Sequence, residues 1–257
     1  HMFSIGCVLS KHPGKTFHFD VMGKVCFIGE DVGQFDINAE ADVHFPLLGD
    51  TVSLHAKGGF SLAEPNDYLK TFTSRHFQWD ESLSNETRTH IEGALSLRRT
   101  QTHLRFAVDN ITNYTYLGTS YTLGENNAHI ATTVTPHQAS SVQVITAQLM
   151  QNLRFGILHF DNQLTFQQSS DDIVLPLPKL NVYTTLYLRF KIAKVLATDC
   201  GVDMRWFTRY HAPEYVPQLQ TYAIQDNEEI RTKIGNYPIC NLYANFQLKS
   251  CRFYILM

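Results

Sequence analysis

The run Gln34-Phe-Asp-Ile-Asn-Ala-Glu-Ala-Asp-Val-His-Phe45 alternates strictly between polar and apolar side chains. Successive side chains of an extended strand point to opposite faces, so this run has one polar face and one apolar face. A helix would scatter the same residues around its circumference. Residues 34–45 therefore predict a long β-strand with one face in contact with water.

The same alternation recurs along most of the chain, in six further segments: 16–28, 52–61, 90–98, 180–191, 196–207 and 240–249. No convincing amphipathic helix competes with them, so the sequence predicts an all-β fold. Several runs last about 12 to 15 residues, whereas ordinary globular strands have a mode near 5 or 6. Such lengths suit strands that cross a bilayer at a tilt. We expect an antiparallel up-and-down transmembrane β-barrel of roughly 12 or more strands.

The connections between these runs support that architecture, because short and long ones alternate from residue 98 onward. Tight connections are expected at 98–101, 152–154 and 193–195, and long ones at 117–137, 169–178 and 211–236. Alternation of this kind places all long connections at one end of the sheet, as in outer-membrane barrels. A Greek-key sandwich mixes both lengths at both ends.

The alternative fold is a soluble β-sandwich, acting as a binding module for a carbohydrate or another surface ligand without channel activity. Its strands would alternate as well, so the polar face does not discriminate between the two folds. The apolar face does. It meets lipid in a barrel and a second sheet in a sandwich.

Composition removes several classes of function. The net charge is −3 and charged residues make up 18% of the chain, so there is no basic footprint for nucleic acid. A run of about 18 apolar residues, which a transmembrane helix needs, does not occur, although barrel strands have no such requirement. The five cysteines form no CxxC pair and have no metal-site spacing, so neither a disulfide framework nor a zinc site is predicted.

Catalytic and metal-binding motifs are also missing from the sequence. The twelve histidines include no HxH or HExxH spacing, and His159 with Asp161 is the best local histidine–carboxylate pair. GxSxG, P-loop and dinucleotide motifs do not occur. We therefore expect no enzyme, no metal and no cofactor.

The polar strand faces carry the candidate functional residues, which in a barrel would line the lumen. There, opposed acidic and basic walls would tune which solutes pass. The predicted pore-lining residues are Asp36, Asn38, Glu40, Asp42, Arg189, Lys191, Asp199, Asp203 and Arg205. Aromatic residues near strand ends are predicted to form the girdle at the membrane boundary. These are Trp79, Tyr114, Trp206, Tyr210 and Tyr237.

A resemblance to a known family covers about Tyr68 to Met257. It is carried by Asp171-Asp-Ile-Val-Leu-Pro-Leu-Pro-Lys-Leu180, Leu186-Tyr-Leu-Arg-Phe-Lys-Ile-Ala-Lys-Val-Leu196, Gly201-Val-Asp-Met-Arg-Trp-Phe-Thr-Arg-Tyr-His-Ala-Pro-Glu-Tyr215 and Ile234-Gly-Asn-Tyr-Pro-Ile-Cys-Asn-Leu-Tyr-Ala-Asn-Phe-Gln-Leu-Lys249. This series resembles the C-terminal half of the "Putative porin" family of Bacteroidota outer membranes.

That resemblance implies an outer-membrane β-barrel of a Gram-negative bacterium. Residues 1–257 would then form a single barrel domain that lacks strands at both ends relative to the family. Its expected activity is passive diffusion of small hydrophilic solutes through a polar lumen. The expected partners are those solutes and membrane lipid or lipopolysaccharide, with an oligomer possible and nucleic acid not expected.

Overall fold

The computed structural model describes residues 3–14, 16–29, 32–47, 49–123, 129–225 and 231–257. Its elements are β1 (Phe3–Lys11), β2 (Phe17–Ile28), β3 (Phe35–Leu47), β4 (Asp50–Ala63), α1 (Asp67–Lys70), β5 (Thr71–Thr73), β6 (Gln78–Asp80), β7 (Glu86–Leu97), β8 (Thr102–Leu123), β9 (His129–Phe155), β10 (Leu158–Ser169), β11 (Leu180–Ile192), β12 (Leu196–Phe207), β13 (Tyr210–His211), β14 (Glu214–Val216), β15 (Thr221–Gln225), β16 (Lys233–Ile234), β17 (Ile239–Leu248) and β18 (Cys251–Leu256). Among the described residues, no helix is both long and apolar enough to cross a bilayer.

Twelve long strands form one continuous sheet in the order β1-β2-β3-β4-β7-β8-β9-β10-β11-β12-β17-β18. Each strand is antiparallel to its neighbours, which confirms the predicted all-β, up-and-down arrangement. Over the described part of the chain, β1 and β18 do not pair with each other, so the sheet is not closed.

The register keeps each class of side chain on its own face from strand to strand. Ala41 on β3 lies opposite Ala56 on β4, Ala56 opposite Gly93 on β7, and Gly93 opposite Phe106 on β8. A slip of one residue would exchange the two faces, so the alternation in the sequence fixes the pairing. We call the side with this row the apolar face and the opposite side the polar face.

Exposure on the two faces is the reverse of that in a water-soluble protein. Ile91 and Phe106 on the apolar face are 63% and 59% exposed, whereas Ala107 and His159 on the polar face are 2% and 7% exposed. In the described ranges no second sheet covers the apolar face. A soluble sandwich requires such a cover, so the sandwich interpretation is not supported.

The two ends of the sheet differ in their connections. The short-turn end carries the turns at 98–101, 156–157, 193–195 and 249–250, and the long-loop end carries the connections 64–85, 170–179 and 208–238. The connections 170–179 and 208–238 confirm the predicted grouping of long connections at one end, whereas the long connection at 64–85 was not predicted. Non-glycine residues with positive φ support the tight turns: Gln101, Ala193, Lys194 and Lys249.

Two predicted connections were wrong. The tight turn expected at 152–154 lies at Gly156-Ile157, because Asn152 and Arg154 still pair with Asp161 and His159 on β10. The long loop expected at 117–137 is instead a β-hairpin, since β8 and β9 continue to pair as far as Leu123. Threonine, which favours extended backbone, occurs five times in this segment.

A hydrophobic core cluster lies at the long-loop end of the sheet. It is built from side chains of three connections: Phe77, Trp79, Leu117, Val134, Val216, Leu219 and Ala223, with Tyr68, Leu69 and Phe72 packed against them. We call α1, β5, β6, β14 and β15, which pack on the part of the β8–β9 hairpin beyond Thr112, the loop cap.

Candidate functional site

The predicted pore-lining residues of β3 all lie on the polar face, and two of them pair with side chains of β4. The Nζ atom of Lys57 lies 2.7 Å from Oε1 of Glu40. Nδ1 of His55 lies 2.8 Å from Oδ1 of Asp42. Asp36 accepts a 2.7 Å hydrogen bond from Nδ2 of Asn38 on its own strand. Each of the three carboxylates of β3, Asp36, Glu40 and Asp42, therefore has a polar partner.

A network of five charged or titratable side chains spans β7 and β8 on the same face. Glu92 accepts a hydrogen bond of 2.7 Å from Nη2 of Arg105. Asp109 accepts hydrogen bonds from Nε and Nη2 of Arg88, at 3.1 and 2.8 Å. His90 lies between the two carboxylates, with Nδ1 3.0 Å from Asp109 and Nε2 3.3 Å from Glu92.

The alternation at 90–98 predicts that His90 and Glu92 share one polar strand face, but it does not reveal this network. The signal is the register: His90 lies directly opposite Asp109, and Arg105 lies diagonally across from Glu92. Cross-strand neighbours of opposite charge stabilise an antiparallel pair. The register becomes known only once the strands are paired.

Replacing Glu92 by glutamine is expected to destabilise the protein by about 1–2 kcal/mol, because Arg105 loses a charge-assisted hydrogen bond at a half-buried position. Urea unfolding in detergent, followed by circular dichroism, measures the change. Glu81→Gln, at an exposed loop position, is the matched control. Equal unfolding midpoints for the two variants would contradict a stabilising role for the network.

Four of the five predicted charged residues of β11 and β12 contact neighbouring side chains. Arg189 makes two hydrogen bonds of 2.9 Å to the carboxylate of Asp199. The guanidinium of Arg205 lies 5.2 Å from the ring centre of Tyr183. Asp203 accepts a hydrogen bond of 2.8 Å from Asn241 on β17. Lys191 is exposed near the short-turn end.

These contacts change the expected electrostatics of the lumen. The sequence suggested an acidic wall facing a basic wall. The structure pairs Glu40 with Lys57 and Arg189 with Asp199 on adjacent strands. Much of the charge on the polar face is thus balanced within each wall.

Three of the five predicted girdle residues lie near one another, and the other two lie elsewhere in the structure. Trp206, Tyr210 and Tyr237 lie together at the long-loop end of β12 and β17, where Phe207 contacts Tyr210 and Tyr237 at ring distances of 6.0 and 6.1 Å. Their girdle role stays a prediction.

Trp79 does not fit the girdle assignment. Only 4% of it is exposed, and it is buried in the loop cap. Its ring stacks on Phe72 at 4.7 Å, and its Nε1 donates to the carbonyl oxygen of Tyr68 at 3.1 Å. It packs on protein side chains and not on an exposed surface. Tyr114, on β8, stacks on Tyr116 with the ring centres 6.2 Å apart.

The best local histidine–carboxylate pair has a packing role in the structure. His159 is buried and stacks on Tyr187 with ring centres 4.9 Å apart. Within the described ranges, no group of three or more His, Cys, Asp or Glu side chains is placed to hold a metal ion.

Comparisons with known proteins agree with this geometry. The chain superposes on the crystal structure of the siderophore receptor PirA from Acinetobacter baumannii with a TM-score of 0.51 and 10% sequence identity. The match covers 93% of this chain and 41% of the receptor chain, so the chain spans about two fifths of that protein's length. No curated protein matches it in sequence.

The family comparison covers the whole sequence. The family model described as "Putative porin" matches residues 1–257. Family and fold together support an outer-membrane β-barrel. The chain belongs to the "Putative porin" family.

Proposed function

We propose that this protein is the wall of a passive outer-membrane channel for small hydrophilic solutes. One observation carries the proposal: the sheet exposes large apolar side chains on one face and carries paired polar side chains on the other, as a barrel wall with lipid outside and water inside requires. The polar side chains are paired yet remain partly accessible to solvent, which suits a lumen that solutes cross without being held. No catalytic step and no cofactor are involved.

The same proposal assigns the location and the contacts of the protein. The apolar face contacts lipid and lipopolysaccharide in the outer membrane of a Gram-negative bacterium, and the polar face contacts water and solutes. A closed lumen also requires strands that pair with the free edges of β1 and β18, because unpaired backbone groups have no hydrogen-bond partner in hydrocarbon. Association between copies is compatible with this arrangement, and nucleic acid is not a partner.

Conductance in planar lipid bilayers tests the proposal directly. The protein, inserted from detergent, is expected to give discrete conductance steps that scale with the conductivity of the salt solution. Liposomes that contain it should swell in small sugars and resist swelling in large ones. Inserted protein that conducts no ions and passes no sugar would overturn the channel proposal.

A single charge change is expected to alter ion selectivity. Lys57→Gln leaves the carboxylate of Glu40 without its cationic partner, so the wall becomes more negative and the reversal potential in a salt gradient shifts toward cation preference. Lys194→Gln, in the exposed turn between β11 and β12, removes the same charge outside the polar face. Equal shifts for both variants would argue that the polar face does not line the conduction path.

A further inference from the structure

We propose that the loop cap folds over the polar face at the long-loop end and sets the upper size limit for solutes that enter the lumen. The inference rests on the channel proposal and adds a specificity element to it. Three steps carry it: the face on which the cap packs, the path of the connection that builds it, and the contacts that hold it in place.

The cap packs on the polar face of the β8–β9 hairpin. Every second residue of a strand points to the same face. Leu117 on β8 is therefore on the same face as Arg105 and Asp109, and Val134 on β9 is on the same face as Gln148. The cap buries Leu117 and Val134. His137, on the apolar face of β9, is exposed. The hydrophobic core of the cap therefore lies on the side that faces the lumen.

The path of the connection after β12 leads to the same side. Its strand β15 runs parallel to β8, with Ile224 opposite Gly118, although β9, β10 and β11 separate β12 from β8 in the sheet. The other edge of β8 is already occupied there, since Gly118 also pairs with Thr135 of β9. Val216 and Ala223 of this connection pack in one cluster with Leu117 and Val134, so the connection crosses the β8–β9 hairpin on its polar side to reach β8.

Specific hydrogen bonds hold the cap on the sheet. Thr119 donates from Oγ1 to the carbonyl oxygen of Ile224 at 3.0 Å. Gln138 of β9 donates from Nε2 to the carbonyl oxygen of Ser84 at 2.7 Å. With these bonds and its own core, the cap is a fixed structure at the mouth, unlike a solvated loop.

The two faces of the β14–β15 hairpin differ in burial, because one face packs in the cap core and the other meets solvent. Val216 and Ala223 are buried in the cap core, whereas Tyr215 and Tyr222, a cross-strand pair on the other face, are exposed. This asymmetry offers a matched pair of variants. Val216→Asp/Ala223→Asp puts two charges into the core, and Tyr215→Asp/Tyr222→Asp puts two charges on the outer face of the same hairpin.

Tryptophan fluorescence reports the fold of the cap. The chain has two tryptophans, so in a Trp206→Phe background all tryptophan emission comes from Trp79. We expect blue-shifted emission and weak acrylamide quenching in that background. Val216→Asp/Ala223→Asp should shift the emission to the red and raise quenching several-fold, because buried charge opens the core. Tyr215→Asp/Tyr222→Asp should leave both unchanged.

Sugar permeation into liposomes, with the same variants, reports the size limit. Opening the cap should admit sugars that the parent protein excludes and raise its conductance, and the outer-face variant should keep the parent size limit. Strong quenching of Trp79 in the parent, or an unchanged size limit after the cap has opened, overturns the inference and leaves the channel proposal standing. Absence of conductance in every variant overturns the channel proposal and the size limit together, so the two failures are distinguishable.

Discussion

Replacing Trp79 by alanine is expected to destabilise the loop cap by about 3–5 kcal/mol, the usual cost of truncating a buried tryptophan. The side chain is 4% exposed and contacts the rings of Phe72 and Tyr68. Its indole Nε1–H also makes a hydrogen bond to the carbonyl oxygen of Tyr68, which would lose its partner. Because the cap has its own core, the loss should be local and should leave the sheet folded.

Hydrogen exchange with detection by mass spectrometry measures this effect segment by segment. Amides of residues 68–80 and 214–225 should lose protection in Trp79→Ala, whereas amides of β10 and β11 should keep it. Trp206→Ala is the matched control, since Trp206 lies on the sheet. Unchanged protection in the cap segments would show that Trp79 does not organise the three connections.

Replacing Phe106 by lysine is expected to destabilise the folded protein in a bilayer by about 2–4 kcal/mol, the cost of a cation on the lipid face near the bilayer midplane. Phe106 is 59% exposed, and it lies near the middle of the part of β8 that pairs with β7. In water, a charge at so exposed a position would change stability by no more than about 0.5 kcal/mol. The size of the effect therefore reports which medium the apolar face meets.

Unfolding by urea in lipid vesicles, followed by the shift of the folded band in gels, provides the measurement. Gln163→Lys is the matched control, because it adds the same charge to the polar face of β10. We expect the control to unfold close to the parent midpoint. Similar midpoints for the two lysine variants would mean that the apolar face does not contact hydrocarbon.

Much of the sheet could be predicted because its information is local. The alternation around Asp36 and Glu40 determines which side chains share a face, and burial of one face then determines the register. Grouping of the long connections at one end followed from turn spacing alone.

The rest depends on contacts between segments that are far apart in the chain. The sequence around Trp79 gives no sign that its ring packs in one core with Leu117 and Val216, so the residue was assigned to a membrane girdle. The ion pair of Glu40 with Lys57 likewise depends on which residues meet across β3 and β4. Single-strand patterns carry no information about these partners, and for that reason opposed charged walls were expected where balanced ones occur.

The free edges of β1 and β18 have a consequence for how the chain behaves before it reaches a bilayer. Neither strand contains proline, and β18 ends in the apolar run Phe253-Tyr-Ile-Leu256. Exposed, flat, apolar edges of this kind are templates for intermolecular strand addition in water and can start cross-β aggregation. In an aqueous compartment we therefore expect the polypeptide to aggregate more slowly when these two strands are shielded.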